Sequence, residues 1–122
     1  MKKNLILEKS LEFAVKVTPL YQQMLQSREY VISKQLIKAA TSIGANIQEA
    51  TGAQSRKDFI SKMTIASKEA RETRYWLIYL ERSKLIDFKL TDLLSEIEEI
   101  NRIISRIIIT TKENDKEKST EH

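Results

Sequence analysis

Lys57, Thr64, Lys68, Arg71, Tyr75 and Arg82 recur at intervals of seven, four, three, four and seven residues. On a helix turning roughly 100° per residue, that spacing places all six on one side. Four cations interleaved with an aromatic over several turns can pair with phosphates and stack on a base. No acid falls inside the strip, although Glu72 flanks it, and Lys38 on a neighbouring segment would extend the patch. The same residues also make the solvated face that any bundle helix needs, so the strip has a plain structural reading beside the binding one.

Other chemistry is poorly provided for. The only histidine is His122, the last residue, which leaves no histidine for a core dyad or zinc site. There is no cysteine, hence no disulfide, thiolate metal site or thiol nucleophile. Gly44 and Gly52 belong to no phosphate-cradling loop. Asn46, Glu49 and Asp58 gather near a hinge, where Asp58 is expected to cap and the other two to bond across the helix junction. A metal site there would need further inward carboxylates. The sequence therefore points to no catalytic group, no metal and no cofactor.

The strip must be carried by a helix, and the stretch from Lys38 to Leu80 supplies two joined by a hinge. Ile32, Leu36, Ala40, Ile43, Ile47 and Ala50 recur at steps of three and four before it. Phe59, Met63, Ala66, Ala70, Thr73, Leu77 and Leu80 do so after it, each set defining one buried face. Ser55-Arg56-Lys57-Asp58 has the form of a capping box and starts the later helix. Gly52 is placed where the earlier one would need positive φ. Small residues (Ala40, Gly44, Ala66, Ala70) should let the two backbones approach closely.

The remaining chain adds a helix on either side. The first is expected from Leu5 to Gln26, capped by Asn4 or Ser10. Ile6, Phe13, Val17, Leu20 and Met24 form its buried face, widened by Val15, Tyr21 and Leu25, and Pro19 should kink it. The second and third are expected over about Val31–Thr51 and Arg56–Lys84, the latter about 40 Å long at 1.5 Å per residue. The fourth, capped by Asp87 or Thr91 and ending near Thr111, carries a heptad stripe of Ile86, Leu90, Leu93, Ile97, Ile100, Ile104 and Ile107. The expected fold is all-α, an antiparallel up-down-up-down four-helix bundle over residues 1–111. Residues 112–122 form a charged tail without an apolar anchor, expected to be disordered.

Composition agrees with this fold. The 122 residues suit one domain, and 41% hydrophobic content with only 2 glycines and 1 proline favours helices with short connections. The net charge of +4 is unevenly spread. Residues 31–84 hold ten basic and five acidic groups, and residues 85–111 hold three and five. The excess thus lies on the central hairpin, which favours anionic partners. No apolar run approaches the about 20 residues that cross a bilayer, and charge interrupts the N-terminal segment too early for a signal peptide. No membrane partner is expected, and the expected location is cytoplasmic.

Apolar residues also fall outside the main stripes. Ile65, Trp76 and Tyr79 flank the third helix, and Leu94, Ile103 and Ile108 lie beside the stripe of the fourth. Such surplus suggests self-association, with a broad buried face in a monomer as the other reading.

Three segments resemble a bacterial family, the 23S ribosomal RNA intervening-sequence proteins, over nearly the whole chain apart from the tail. They are Gln35-Leu36-x-Lys38-Ala39-Ala40-x-Ser42-Ile43-x-Ala45-Asn46-Ile47-x-Glu49-Ala50, Ser55-x-Lys57-Asp58-Phe59, and Ile65-Ala66-x-Lys68-Glu69-Ala70-x-Glu72-Thr73-x-Tyr75-Trp76-Leu77. Many members have Arg in place of Lys38 and Glu-Gly in place of Glu49-Ala50, so the second helix is expected to continue farther here. The resemblance implies a four-helix bundle that assembles into a ring, typically a homopentamer, with no enzymatic activity. Related bundles are accessory partners of reverse transcriptases, where a basic ring meets RNA.

Together these observations lead to a non-enzymatic, oligomeric scaffold binding RNA or DNA with little sequence specificity. Lys57, Lys68, Arg71 and Arg82 would contact phosphates, Tyr75 would stack, and Lys38 would extend the patch. The alternative is a protein-interaction module that docks onto a nucleic-acid-processing enzyme such as a reverse transcriptase.

Overall fold

The computed structural model describes residues 4–120, with side chains described as far as Lys116. The described residues form four helices: α1 (Leu5–Gln26), α2 (Val31–Thr51), α3 (Arg56–Ser83) and α4 (Thr91–Thr120). They form an all-α four-helix bundle in which each helix packs on its sequence neighbours and α4 returns to α1. The α2–α3 pairing is the most extensive and α1–α4 the least. Along α3 and α4 the residues run in opposite directions, since Arg56 meets Asp115 while Arg74 meets Glu98. The α1–α4 seam is closed by Lys9–Glu99 and Lys16–Glu96 ion pairs and by Gln23 Nε2 donating to the Asp87 carbonyl at 2.7 Å.

The helix starts follow from local hydrogen bonding. Asn4 caps α1 by accepting from the Leu7 N–H at 3.2 Å, whereas Ser10 is fully buried inside it. Ser55, in extended backbone, accepts from the Asp58 N–H at 3.0 Å and starts α3. At α2 the residue before the first turn, Tyr30, offers no side-chain bond. Glu29 does that work instead: one carboxylate oxygen accepts from Val31 and Ile32 at 3.0 and 2.9 Å, and the other from Ser33 at 2.7 Å. Burial opposes the charge of Glu29, but the N–H groups of Ile32, Ser33 and Val31 outweigh it and hold the carboxyl below its ordinary value.

Two helix ends turn through left-handed backbone without glycine. The Arg28 N–H reaches the Leu25 carbonyl and the Glu29 N–H reaches that of Met24, a Schellman arrangement with Arg28 at φ 62°. Lys84 closes α3 at φ 54°. Gly52, expected at positive φ, instead has φ −98° at the end of α2. A side chain at left-handed φ is strained, so Arg28→Gly should stabilise the fold by about 0.5–1 kcal/mol, net of glycine's greater unfolded freedom. Urea denaturation checks this, and an unchanged midpoint would show that the arginine side chain offsets the strain.

The core follows the expected stripes, with corrections at their edges. Phe13, Val17, Leu20, Leu36, Ile43, Leu77, Ile97, Ile100 and Ile104 are fully buried. Ala40, Ala66 and Ala70 are also fully buried, in the two helices whose pairing is the most extensive. Gly44 serves a different pairing, because a Cβ there would lie 3.7 Å from Ser10 Cβ of α1. Val15, expected to widen the buried face, is 62% exposed. α1 runs through Pro19 without interruption from Leu5 to Gln26. At the ends of the α4 stripe Ile86 and Ile107 are only half-buried.

α4 also corrects the expected end near Thr111. It continues to Thr120, so residues 112–120 are helical where disorder was expected, and Glu121 and His122 lie outside the described residues. Nothing between Thr111 and Thr120 breaks a helix, since Lys, Glu and Asp tolerate one and neither Gly nor Pro intervenes. Arg56 at the start of α3 ties to Asp115 at 3.1 Å and anchors the extra turns.

Candidate nucleic-acid interface

The α3 strip stands where its spacing requires. Lys57, Thr64, Lys68, Arg71, Tyr75 and Arg82 are all exposed, Tyr75 at 62%. Opposite them, Met63, Ala66, Ala70, Thr73, Leu77 and Leu80 face the core, so the same periodicity that buries one side presents the cations on the other. Among the described residues no acid is paired with Lys57, Lys68, Arg71, Arg82 or Lys38. Lys38 is exposed on α2 and belongs to a different helix from the strip. Lys2 and Lys3 lie outside the described residues.

Arg71 is held more firmly than its neighbours. Its Nη1 donates to Ser67 Oγ at 3.0 Å, and Ser67 is only 5% exposed, so a buried hydroxyl holds one nitrogen of the guanidinium. That side chain borders an open groove of about 300 Å³ between α3 and α4. Ser67, Arg71 and Arg74 line it from α3, and Glu98, Asn101, Arg102 and Ser105 from α4. Arg74 Nε donates to Glu98 Oε1 at 3.2 Å. The Asn101 amide donates to the Ile97 carbonyl at 3.1 Å and reaches across to that of Ala70 at 3.4 Å.

Arg74 and Arg102 cannot be read from the spacing of the strip because they lie off it. Helical projection places each on its own helix, but their meeting depends on the register between α3 and α4. The aromatic part is denser than expected. Tyr75 meets Trp76 edge-on at 5.1 Å, and Trp76 meets Tyr79 likewise at 6.3 Å.

The six residues expected at an oligomer interface divide. Ile65 and Tyr79 remain 39% and 37% exposed. Trp76, Leu94, Ile103 and Ile108 are half-buried and pack against the bundle's own core. Trp76 Nε1 is enclosed there without a hydrogen-bond partner. More exposed apolar surface lies elsewhere, on Leu11 and Val15 of α1 and on Tyr30 and Val31 before and at the start of α2. At the hinge, Asn46 bonds back within α2 to the Ser42 carbonyl at 2.8 Å and does not bridge the junction; Glu49 is exposed.

Among the described residues no three of His, Cys, Asp or Glu gather to hold a metal ion. None of the helices is long and apolar enough, over those residues, to cross a membrane.

Comparison with known proteins bears on this geometry. A family model described as 23S rRNA-intervening sequence protein matches residues 2–106. A solved structure from Bacteroides thetaiotaomicron, described as a protein with unknown function from the S23 ribosomal protein family, has a TM-score of 0.80 and 47% sequence identity. The match covers 84% of this chain and 97% of that one. A search of curated proteins finds no match.

Proposed function

The chain belongs to the 23S rRNA-intervening sequence protein family, and from that premise we propose that it is a non-enzymatic cytoplasmic scaffold that binds RNA or DNA through the exposed face of α3. The observation that carries this reading is the acid-free strip of Lys57, Lys68, Arg71 and Arg82, whose cations pair with no acid among the described residues and are accompanied by the exposed ring of Tyr75. Contacts of this kind read charge and shape and carry little sequence information. Lys38 extends the positive surface on the adjacent helix. Self-association, as a homopentamer in the form the family resemblance implies, would repeat the strip around a ring and convert weak contacts into avidity. The partly exposed Ile65 and Tyr79 supply apolar contact surface for such copies.

The test is the double change Arg71→Gln and Arg82→Gln. RNA binding should weaken for every sequence tried, and the log–log salt slope should flatten by about 0.7–0.9 for each phosphate no longer neutralised. Both side chains are exposed, so circular dichroism should be unchanged. Unaltered binding would move the interface off α3. Undetectable binding by the wild type at low salt would instead favour docking onto a nucleic-acid-processing protein such as a reverse transcriptase, with the exposed apolar residues as the contact.

A further inference from the structure

The groove between α3 and α4 is lined by three arginines, of which Arg74 and Arg102 lie outside the strip. Arg71 and Arg74 enter from α3 and Arg102 from α4, around an opening of about 300 Å³. Glu98 is the single acid in the lining, and it is engaged by Arg74 Nε at 3.2 Å. The lining therefore carries an excess of two positive charges. Arg71 commits one of its five donors to Ser67. Arg102 makes no hydrogen bond or ion pair among the described residues, although its charge adds to that of Lys9 in holding the Glu99 carboxyl below its ordinary value. Ser105, exposed on the same side of α4, adds a hydroxyl.

Like charges converge at a cost in self-repulsion, and an anion in the groove reverses that cost. Planar guanidinium forks fixed by buried or acidic neighbours match the tetrahedral oxygens of a phosphate, which they can grip two at a time. One helical turn beyond Arg71, on the same side of α3, stands Tyr75, with most of its ring open and its position held by the edge contact with Trp76. Arg71 and Tyr75 are thus spaced like the phosphate and base of one nucleotide, about 6 Å apart along the helix.

We infer that the α3–α4 groove is a single-nucleotide subsite of the interface, in which Arg71, Arg74 and Arg102 hold one backbone phosphate and Tyr75 stacks on the adjoining unpaired base. The inference rests on the nucleic-acid reading and narrows it. A base can reach the face of Tyr75 only when it is free of its own stack, so the subsite selects single strands.

Equilibrium anisotropy with a fluorescently labelled eight-nucleotide oligouridylate tests it, using the full chain and the variants Arg102→Gln, Tyr75→Ala and Lys89→Gln. Arg102→Gln, on a helix outside the strip, should weaken binding about three- to tenfold. Tyr75→Ala should weaken the single strand by a similar factor and leave a duplex of the same length within about twofold. Lys89→Gln, exposed in the connection between α3 and α4 and outside both strip and groove, should cost about twofold or less. Circular dichroism should be the same for all four proteins.

Wild-type binding with Arg102→Gln unaffected would overturn the subsite while leaving the strip in place. Equal losses on single strand and duplex for Tyr75→Ala would overturn the stacking role. No binding by the wild type would overturn the subsite together with the reading beneath it. Displacement of the oligomer by poly-glutamate as readily as by unlabelled oligouridylate would overturn the phosphate assignment in favour of an acidic protein segment.

Discussion

Phe13→Ala should remove about 3–5 kcal/mol of folding stability, enough to bring a domain of this size close to unfolding. The ring is fully buried in the middle of α1, within the single core that α1, α2, α3 and α4 share. Truncation forfeits the transfer free energy of the ring and leaves a cavity that helices fixed on both sides cannot collapse into. The informative control stands two residues along the same helix. Val15 is also apolar and lies between the buried Phe13 and Val17, yet it is 62% exposed. Val15→Ala should change stability by less than about 0.5 kcal/mol. Urea denaturation of the two variants side by side decides the matter. Comparable losses would mean that Val15 is covered in solution, as it would be in an assembly that uses the outer face of α1.

Glu29→Ala should cost about 2 kcal/mol, unusually much for a half-exposed residue in a loop. Its carboxylate accepts from three successive backbone N–H groups, at 3.0, 2.9 and 2.7 Å, and it lies at the positive end of α2. Removal would leave the first turn of α2 without its acceptors, next to the Schellman turn that ends α1. The pH dependence has a definite sign. The folded carboxyl ionises below the ordinary value of 4.5. Its contribution is therefore complete above that value and declines as pH falls through the lower folded value. Wild-type melting temperature should drop along that limb more steeply than that of the alanine variant, and the gap between the two should narrow. Parallel acid limbs would show that the cap works through geometry alone and that its charge is immaterial.

The helices are legible in the sequence because each rests on information held within a few residues. Three- and four-residue spacing identifies the buried sides of α2 and α3, and Ser55 starts α3 by a bond to a residue three positions away. The same locality sets the limit. Val15 has the side chain of a core residue without the position of one, since the helix around it already has a full stripe in Phe13, Val17 and Leu20. Glu29 gives no such local signal: caps are usually short polar side chains, whereas this longer carboxylate reaches over Tyr30. No glycine marks the left-handed turns at Arg28 and Lys84, so the usual sign of a helix end is absent there. The strip on α3 can be drawn from spacing alone. The groove beside it cannot, because the meeting of Arg74 with Glu98 and the nearness of Arg102 are set by how two helices slide against each other.

The α1–α4 seam differs from the other three pairings in one respect: it joins the two ends of the bundle. Lys16 and Glu96 are separated by 80 residues of chain, whereas each other pairing closes across a short connection. The entropy of closing a flexible loop grows only with the logarithm of its length, so 80 residues cost about 1.2 kcal/mol more than 20. Preformed hairpins shorten the effective loop further, since α1–α2 and α3–α4 then meet as two rods already aligned by the α2–α3 contact. The last closure thus asks little of the residues that make it. Two exposed ion pairs and one amide-to-carbonyl bond, added to the buried stripes behind them, suffice where a deeper helix contact would otherwise be needed.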